Sequence, residues 1–307
     1  MLKKYTVQNI SWIDLEKPTL EEIKSLMTRY NLHPLVADEL LLPTFKPKVD
    51  LYTNFVYVVL HFPAFKHSED NSGIDNHEID FIIGQDFIIS ARYQNIDSLQ
   101  RISKIFEVET ILNTEQKGIP HAGFVFYHIA LQLYNILANE VDYMEDLQEE
   151  IEKNIFDGRE KTMVREISKV NRNLLDFKQS ISHHSEVLAS LETAGKTLFG
   201  EDFAHYLKNI SDKYHKISHN VATSQENLRE LRETNNSLLT TTQNETMKVF
   251  TILAFVTFPL SLLASIFGMN TVFTPVLGIR NDFWWIIGGM LAATSLMFSF
   301  FKYKKWF

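Results

Sequence analysis

The chain has 307 residues, with 30 basic against 38 acidic side chains and a formal net charge of −8. That balance gives no electrostatic support to a nucleic-acid partner. The absence of cysteine excludes disulfides, Cys-type zinc sites and thiol catalysis. A mean hydropathy of −0.11 hides a split. Five basic residues (Lys248, Arg280, Lys302, Lys304, Lys305) and one acid (Asp282) follow Met247, so +4 lies on that tail and −12 on residues 1–246.

Residues 1–118 mix short strands and helices and predict an α/β sheet domain. Lys4–Trp12 reads as one strand. Thr19-Leu-Glu-Glu22 is a capping box that opens a helix running to about Tyr30. Leu51–Phe62 and Glu78–Arg92 are rich in Val, Ile, Phe and Tyr, the second as a hairpin turning at Gly84-Gln85. His67–Asn76 is polar and reads as a loop. Met1-Leu-Lys-Lys-Tyr5 has no apolar run, so no secretory leader is expected. No nucleophile–base pair, phosphate loop or dinucleotide motif stands out, which predicts a non-enzyme with no cofactor.

Residues 119–246 predict long helices and a stalk. One helix is expected over His121–Phe156, broken at Asp157-Gly158, and a second over Arg159–Thr193, ended near Gly195 and Gly200. Glu201 to Met269 contains no Gly before Gly268 and no Pro before Pro259, so it predicts one helix of about 69 residues, roughly 100 Å long. Pro259 should bend it modestly. A heptad runs down it through Ile210, Tyr214, Ile217, Val221, Ser224, Leu228, Leu231, Asn235, Leu238 and Thr242. Such a helix must pack on its neighbours or on copies of itself.

Residues 247–307 predict two membrane spans, 249–269 and 283–301, both free of charge. A buried core hairpin of a soluble protein is the alternative. Lys248 precedes the first span and Lys302, Lys304 and Lys305 follow the second, which places both termini in the cytoplasm. Trp284, Trp285, Tyr303 and Trp306 fall near the two interfaces.

A second stripe of period 3.5 runs through Glu233, Ser237, Thr240, Asn244, Met247, Thr251, Ala254, Phe258, Ser261, Ser265 and Gly268. Nine of these eleven are polar or small, so one face of the first span continues a hydroxyl-rich face outside it. Close helix packing and a water-filled pore lined by one helix from each subunit both account for the pattern. Other combinations read as ordinary helix faces. His215 and His219 have zinc-ligand spacing but no carboxylate beside them on that face, and His183-His184 with Glu186 is similar. The acidic run Asp142, Glu145, Asp146, Glu149, Glu150, Glu152 is a solvated face that could also concentrate cations.

Gly268-Met269-Asn270, closing the first of two such spans, resembles the signature of the CorA-type divalent-cation channels. Asn244-Glu-Thr-Met-Lys-Val-Phe-Thr-Ile-Leu-Ala254 and Phe258-Pro-Leu-Ser261 resemble that family's inner helix. The likeness covers the whole chain in layout and is close in residues only over about 241–272 and at the tail. It implies an α+β chain: an N-terminal α/β cytoplasmic domain, a long-helix stalk and two C-terminal transmembrane helices, assembled as a homopentamer. The partners implied are the lipid bilayer of the cell (inner) membrane and divalent cations. Transport would be Mg²⁺ influx, with Co²⁺ and Ni²⁺ as further candidates.

By the same resemblance Gly268, Met269 and Asn270 form the selectivity filter, and Asn270 receives the ion with its water shell on. Mg²⁺ gives up its waters reluctantly, and a ring of neutral carbonyls can hold that shell without binding too tightly for release. Met247 and Phe250 match an apolar constriction, Ser261 a hydroxyl ring and Glu233 an acidic ring. Thr240, Asn244, Thr251, Ala254, Phe258 and Ser265 complete the pore lining.

The chain departs from the family at Pro275-Val276, where many relatives carry Pro-Glu, and at Phe267, where they carry Tyr. Some relatives close when Mg²⁺ bridges carboxylates between neighbouring cytoplasmic domains. One such position falls on Asn209, with Asp212 one turn on as the remaining candidate for a regulatory Mg²⁺ ligand. Two alternatives stay open at this point: a Zn²⁺ importer of the related proton-coupled branch, and a membrane-anchored coiled-coil scaffold without a pore.

Overall fold

The computed structural model describes residues 2–7, 9–63, 76–93, 121–269, 281–304 and 306. Most of the loop expected at His67–Asn76, the stretch 94–118, Asn270 and Pro275-Val276 lie outside them. By contacts the chain divides into two units, Met1–Arg232 and Glu233–Phe307.

Among the described residues of the first unit, six strands form one sheet: β1 (Leu2–Val7), β2 (Ile10–Glu16), β3 (Lys48–Leu51), β4 (Phe55–Pro63), β5 (Asn76–Gly84) and β6 (Phe87–Arg92). Their spatial order is β1-β2-β6-β5-β4-β3. β2 and β6 pair in parallel and every other pair is antiparallel. The single strand expected over Lys4–Trp12 is two strands, with Val7 opposite Ile10 across a tight hairpin. Asn9, a residue that tolerates turn geometry, lies in that turn. The β5–β6 hairpin turns after Gly84 as expected.

α1 (Leu20–Tyr30) starts at the capping box: Thr19 Oγ1 accepts from Glu22 N–H at 3.3 Å, and the Glu22 carboxylate accepts from Thr19 N–H at 3.0 Å. It ends on Asn31 in the left-handed conformation. α2 (Pro34–Glu39), a short helix absent from the sequence reading, opens with Pro at its first turn, as the fixed φ of proline favours. Both helices cover one sheet face, where Ile23, Leu26, Val36 and Leu40 meet Ile13, Leu15, Tyr57, Val59, Ile82 and Ile89. Phe81 of β5 packs edge-on against Phe126, with ring centroids 5.2 Å apart, so long helices cover the other face. Strands covered on both sides read as unbroken apolar runs, which is why β4 and β6 show little alternation.

α3 (Gly123–Phe156) and α4 (Glu160–Ile181) flank the expected break, where Gly158 takes a positive φ of 82°. The second long helix does not reach Thr193. It stops at Ile181, and α5 (His184–Phe199) follows. No Gly or Pro marks this break. The side chains of Ser180 and Ser182 bond back to the carbonyls of Asp176 and Gln179, and the turn delivers His184 into the interior.

α6 (Glu201–Phe267) is a single helix of 67 residues. The heptad residues Ile210, Tyr214, Ile217, Val221, Ser224 and Leu228 are buried along it, and so is Asn235. Ser224 is satisfied by Gln148 Nε2 at 2.5 Å. In the second unit α7 (Asp282–Tyr303) packs on α6 through Ile252 and Val256 against Phe301, flanked by Leu260 and Met297.

Candidate functional site

Ile252, Val256 and Leu260 recur every four residues and so form one side of α6, the side that α7 covers. Met247, Thr251, Ala254, Phe258, Ser261 and Ser265 lie roughly 140–180° around the axis from Val256, at 100° per residue. The stripe of small and polar residues is therefore the side of α6 turned away from its own hairpin partner. Thr240 and Glu233 fall on the same side, and Asn244, Phe250 and Gly268 roughly 120° from Val256. Thr240, Asn244, Ser261, Ser265, Gly268 and Met269 are exposed, and Thr251 and Ala254 are half-buried. Met247, Phe250 and Phe258 are 58%, 62% and 73% exposed, although all three are large and apolar. Within this hairpin, packing against α7 does not account for the stripe. The i, i+4 spacing of Ile252, Val256 and Leu260 is present in the sequence, but Phe258, Leu262 and Ile266 share it, so spacing alone does not mark the packed side.

Two threonines of the stripe share a geometry. Thr240 Oγ1 donates to the Asn236 carbonyl at 2.9 Å, and Thr251 Oγ1 donates to the Met247 carbonyl at 2.8 Å. Their hydroxyl hydrogens are thus committed to the helix backbone, and what remains for anything off the helix is oxygen lone pairs. The waters around a cation direct their hydrogens outward, so a surface of acceptors is chemically matched to a hydrated cation.

α6 ends at Phe267. Gly268 N–H donates to Ala264 O at 2.9 Å, and Met269 N–H to Ile266 O at 3.3 Å. Gly268 does not take a left-handed conformation: among the described residues, positive φ at glycine is confined to Gly158 and Gly200. Asn270, the residue assigned to receive the ion, lies outside the described residues.

Several buried polar arrangements lie among the described residues of the first unit. Trp12 Nε1 donates to Ser90 Oγ at 3.0 Å, Ser90 Oγ to Asp14 Oδ1 at 2.8 Å, and Arg92 to Asp14 Oδ2 at 3.0 Å, a chain that joins the parallel pair β2 and β6. Glu78 accepts from Thr44 N–H at 2.8 and 2.7 Å, from Thr44 Oγ1 at 3.0 Å and from His61 Nε2 at 3.1 Å, which pins the segment after α2 to β5. Beside it Asp80 accepts from the hydroxyls of Tyr57 and Tyr93, both at 3.1 Å. Burial and the Glu78 carboxylate push Asp80 well above the usual carboxylate range. Asp80 Oδ1 is buried without a hydrogen-bond partner among the described residues. His184 bridges Tyr134 and the His61 carbonyl. These arrangements hold the sheet domain together.

The residues with ligand-like spacing do not assemble a metal centre. His215, His219, His183, Asn209 and Asp212 are exposed. Among the described residues no group of three or more His, Asp or Glu could hold a metal ion. In the acidic run of α3, Asp142, Asp146, Glu149, Glu150 and Glu152 face solvent. Glu145 is raised above its ordinary value by partial burial and then by Asp142, Asp146 and Glu149.

An α+β chain that carries two helices long and apolar enough to cross a membrane is thereby defined, with a polar stripe along the first. The CorA-like Mg²⁺ transporter model matches residues 7–304, and the chain belongs to that family, one of transporters and not of enzymes. It is 25% identical over 283 residues to the cobalt/magnesium transport protein CorA of Thermotoga maritima, covering 90% of this chain and 77% of that protein. Its fold is similar to the complete CorA magnesium transporter of Methanocaldococcus jannaschii, with a TM-score of 0.81 at 20% identity, over 97% of this chain and 92% of that one. The cytoplasmic domain of ZntB from Vibrio parahaemolyticus matches 75% of this chain and 88% of its own, with a TM-score of 0.60 at 15% identity.

Proposed function

We propose that the protein is a divalent-cation channel of the cell (inner) membrane, admitting Mg²⁺ and also Co²⁺ through a pore at the axis of a homopentamer. α6 would line that pore, α7 would pack outside it, and both termini would be cytoplasmic. The observation that carries this is the position of the stripe: Met247, Thr251, Ala254, Phe258, Ser261 and Ser265 occupy the side of α6 opposite Ile252 and Val256, the residues that meet α7. A channel helix needs one side for its own hairpin and another for water, and α6 has both. The family match supplies the ion class, since the relatives from Thermotoga maritima and Methanocaldococcus jannaschii are named as cobalt/magnesium transport proteins.

In this scheme Asn270 meets the ion with its waters attached. The acceptor oxygens of Thr251 and Thr240 take hydrogen bonds from that shell as the ion descends, and Met247 and Phe250 close the pore by dewetting. The transported Mg²⁺ is cargo and no resident cofactor is involved. The test is purified full-length protein in liposomes loaded with a Mg²⁺- or Co²⁺-sensitive dye, with the number of subunits measured by mass photometry. Five subunits and ion entry above that of empty liposomes are expected, and Asn270→Ala should abolish selective entry while leaving the pentamer intact. A dimer without flux overturns the channel, and flux that appears only for Zn²⁺ under a proton gradient overturns the ion assignment.

A further inference from the structure

α6 and α7 do not close on each other along their whole length. Toward the C-terminal end of α7 they part around a crevice of about 570 Å³. Phe255 and Pro259 of α6 form one wall, and Leu296, Met297 and Phe300 of α7 form the other. Lys304 is the one charged residue among those lining it. The mouth is a built feature. Lys304 N–H donates to Phe300 O and Trp306 N–H to Phe301 O, both at 3.0 Å. The Trp306 indole stacks on the Phe301 ring, with centroids 5.6 Å apart and planes at 27°.

We propose that this crevice is a lipid site: it seats an acyl chain of an anionic phospholipid whose phosphate is held at the mouth by Lys304. The walls are apolar, as a hydrocarbon chain requires. The rim carries a cation beside an indole, the pairing that suits the headgroup level of a bilayer. Lys302 adds to the positive field at the same helix end. Asp282 is the sole acidic side chain between Lys248 and Phe307 and it opens α7, at the opposite end of that helix, so neither span brings an acidic side chain to the mouth. A span from a second copy with the same membrane orientation would fill the apolar walls but bring no carboxylate to Lys304. A phospholipid supplies both the chain and the anion. The site rests on the membrane placement proposed above and is independent of whether α6 lines a pore.

The test is native mass spectrometry of the full-length protein taken from bilayers of equal parts phosphatidylcholine and phosphatidylglycerol. Wild type is expected to retain phosphatidylglycerol in preference to phosphatidylcholine. Lys304→Gln should reduce that preference about fivefold, the worth of one lysine near an anionic headgroup. Met297→Trp, which fills the crevice, should lower retention of both lipids. Equal retention of the two lipids by wild type, or an unchanged preference in Lys304→Gln, overturns the proposal. So does disulfide cross-linking between subunits of Met297→Cys, a clean measurement in a chain without native cysteine, because it puts a neighbouring helix in the crevice. Flotation with vesicles separates the membrane placement from the lipid site. A wild-type chain that floats and shows no lipid preference removes the lipid site alone, and one that does not float removes the membrane placement and the site with it.

Discussion

The Tyr134 hydroxyl and His184 Nδ1 are 2.8 Å apart in the interior of the first unit. On the other side of the ring, His184 Nε2 lies 2.8 Å from the His61 carbonyl oxygen. A carbonyl only accepts, so Nε2 carries the hydrogen and Nδ1 accepts from the tyrosine. The imidazole is therefore held neutral as a single tautomer, and it ties α5 to α3 and β4.

Burial lowers the His184 pKa to about 4. The unfolded chain takes up this proton near the ordinary value of about 6.5, so the unfolded state binds more protons between those two values. Stability from this histidine is complete above about pH 6.5 and falls as pH drops toward 4, by about 2 kcal/mol at pH 5. Thermal unfolding at pH 7 and pH 5 should show that loss. His184→Gln, which can keep one of the two bonds and does not titrate, should be less stable at pH 7 but show a smaller fall between the two pH values.

Arg92 is 1% exposed and lies against Asp14, itself 3% exposed. Removing one member of a buried ion pair strands the other in a poorly solvated site. Arg92→Leu should lose about 3–5 kcal/mol of stability, read as a lower unfolding midpoint. Arg92→Lys should recover part of it, since a lysine restores the charge without the forked geometry.

Met247 and Phe250 are the apolar members of the exposed side of α6 nearest Lys248. If they form the dewetting constriction, Met247→Gly and Phe250→Gly should each raise Mg²⁺ entry several-fold in the liposome assay. Unchanged entry in both variants would move the gate elsewhere. Thr251→Val keeps the shape of the side chain and removes its oxygen, and should lower entry without changing the number of subunits.

Asn209 and Asp212 are exposed one turn apart on α6. An amide binds Mg²⁺ more weakly than a carboxylate, so Asn209→Ala should leave inhibition by internal Mg²⁺ within about twofold of wild type, a change of under about 0.5 kcal/mol. Loss of inhibition in that variant would identify Asn209 as a working ligand despite its neutrality.

Local chemistry was the most legible part of the sequence. Thr19 and Glu22 announce α1 because the capping bonds are made within four residues. The heptad from Ile210 to Leu228 announces its buried seam because the period is set by the helix itself. The break at Ser182-His183 was hidden, since it is made by serine side chains turning back on the helix and by the pull of a buried histidine, with no Gly or Pro to mark it. The split of Lys4–Trp12 into two strands had Asn9 as a sequence cue, with no Gly or Pro to mark the turn. For the stripe on α6, the sequence left packing and pore side by side. What separated the two sides of the helix was the position of Ile252 and Val256 against Phe301, a tertiary fact that a single periodicity does not contain.

If α6 lines the proposed pore, its back-bonded threonines bear on which ions are refused. Chloride and phosphate are solvated through donors and need N–H or O–H groups to replace the water hydrogens they lose. At Thr240 and Thr251 those hydrogens already belong to the carbonyls of Asn236 and Met247. An anion on this side of α6 would meet lone pairs at both levels. On the proposed pore, Thr251 inside the charge-free span and Thr240 before it would favour cations through the direction in which their hydroxyl groups point.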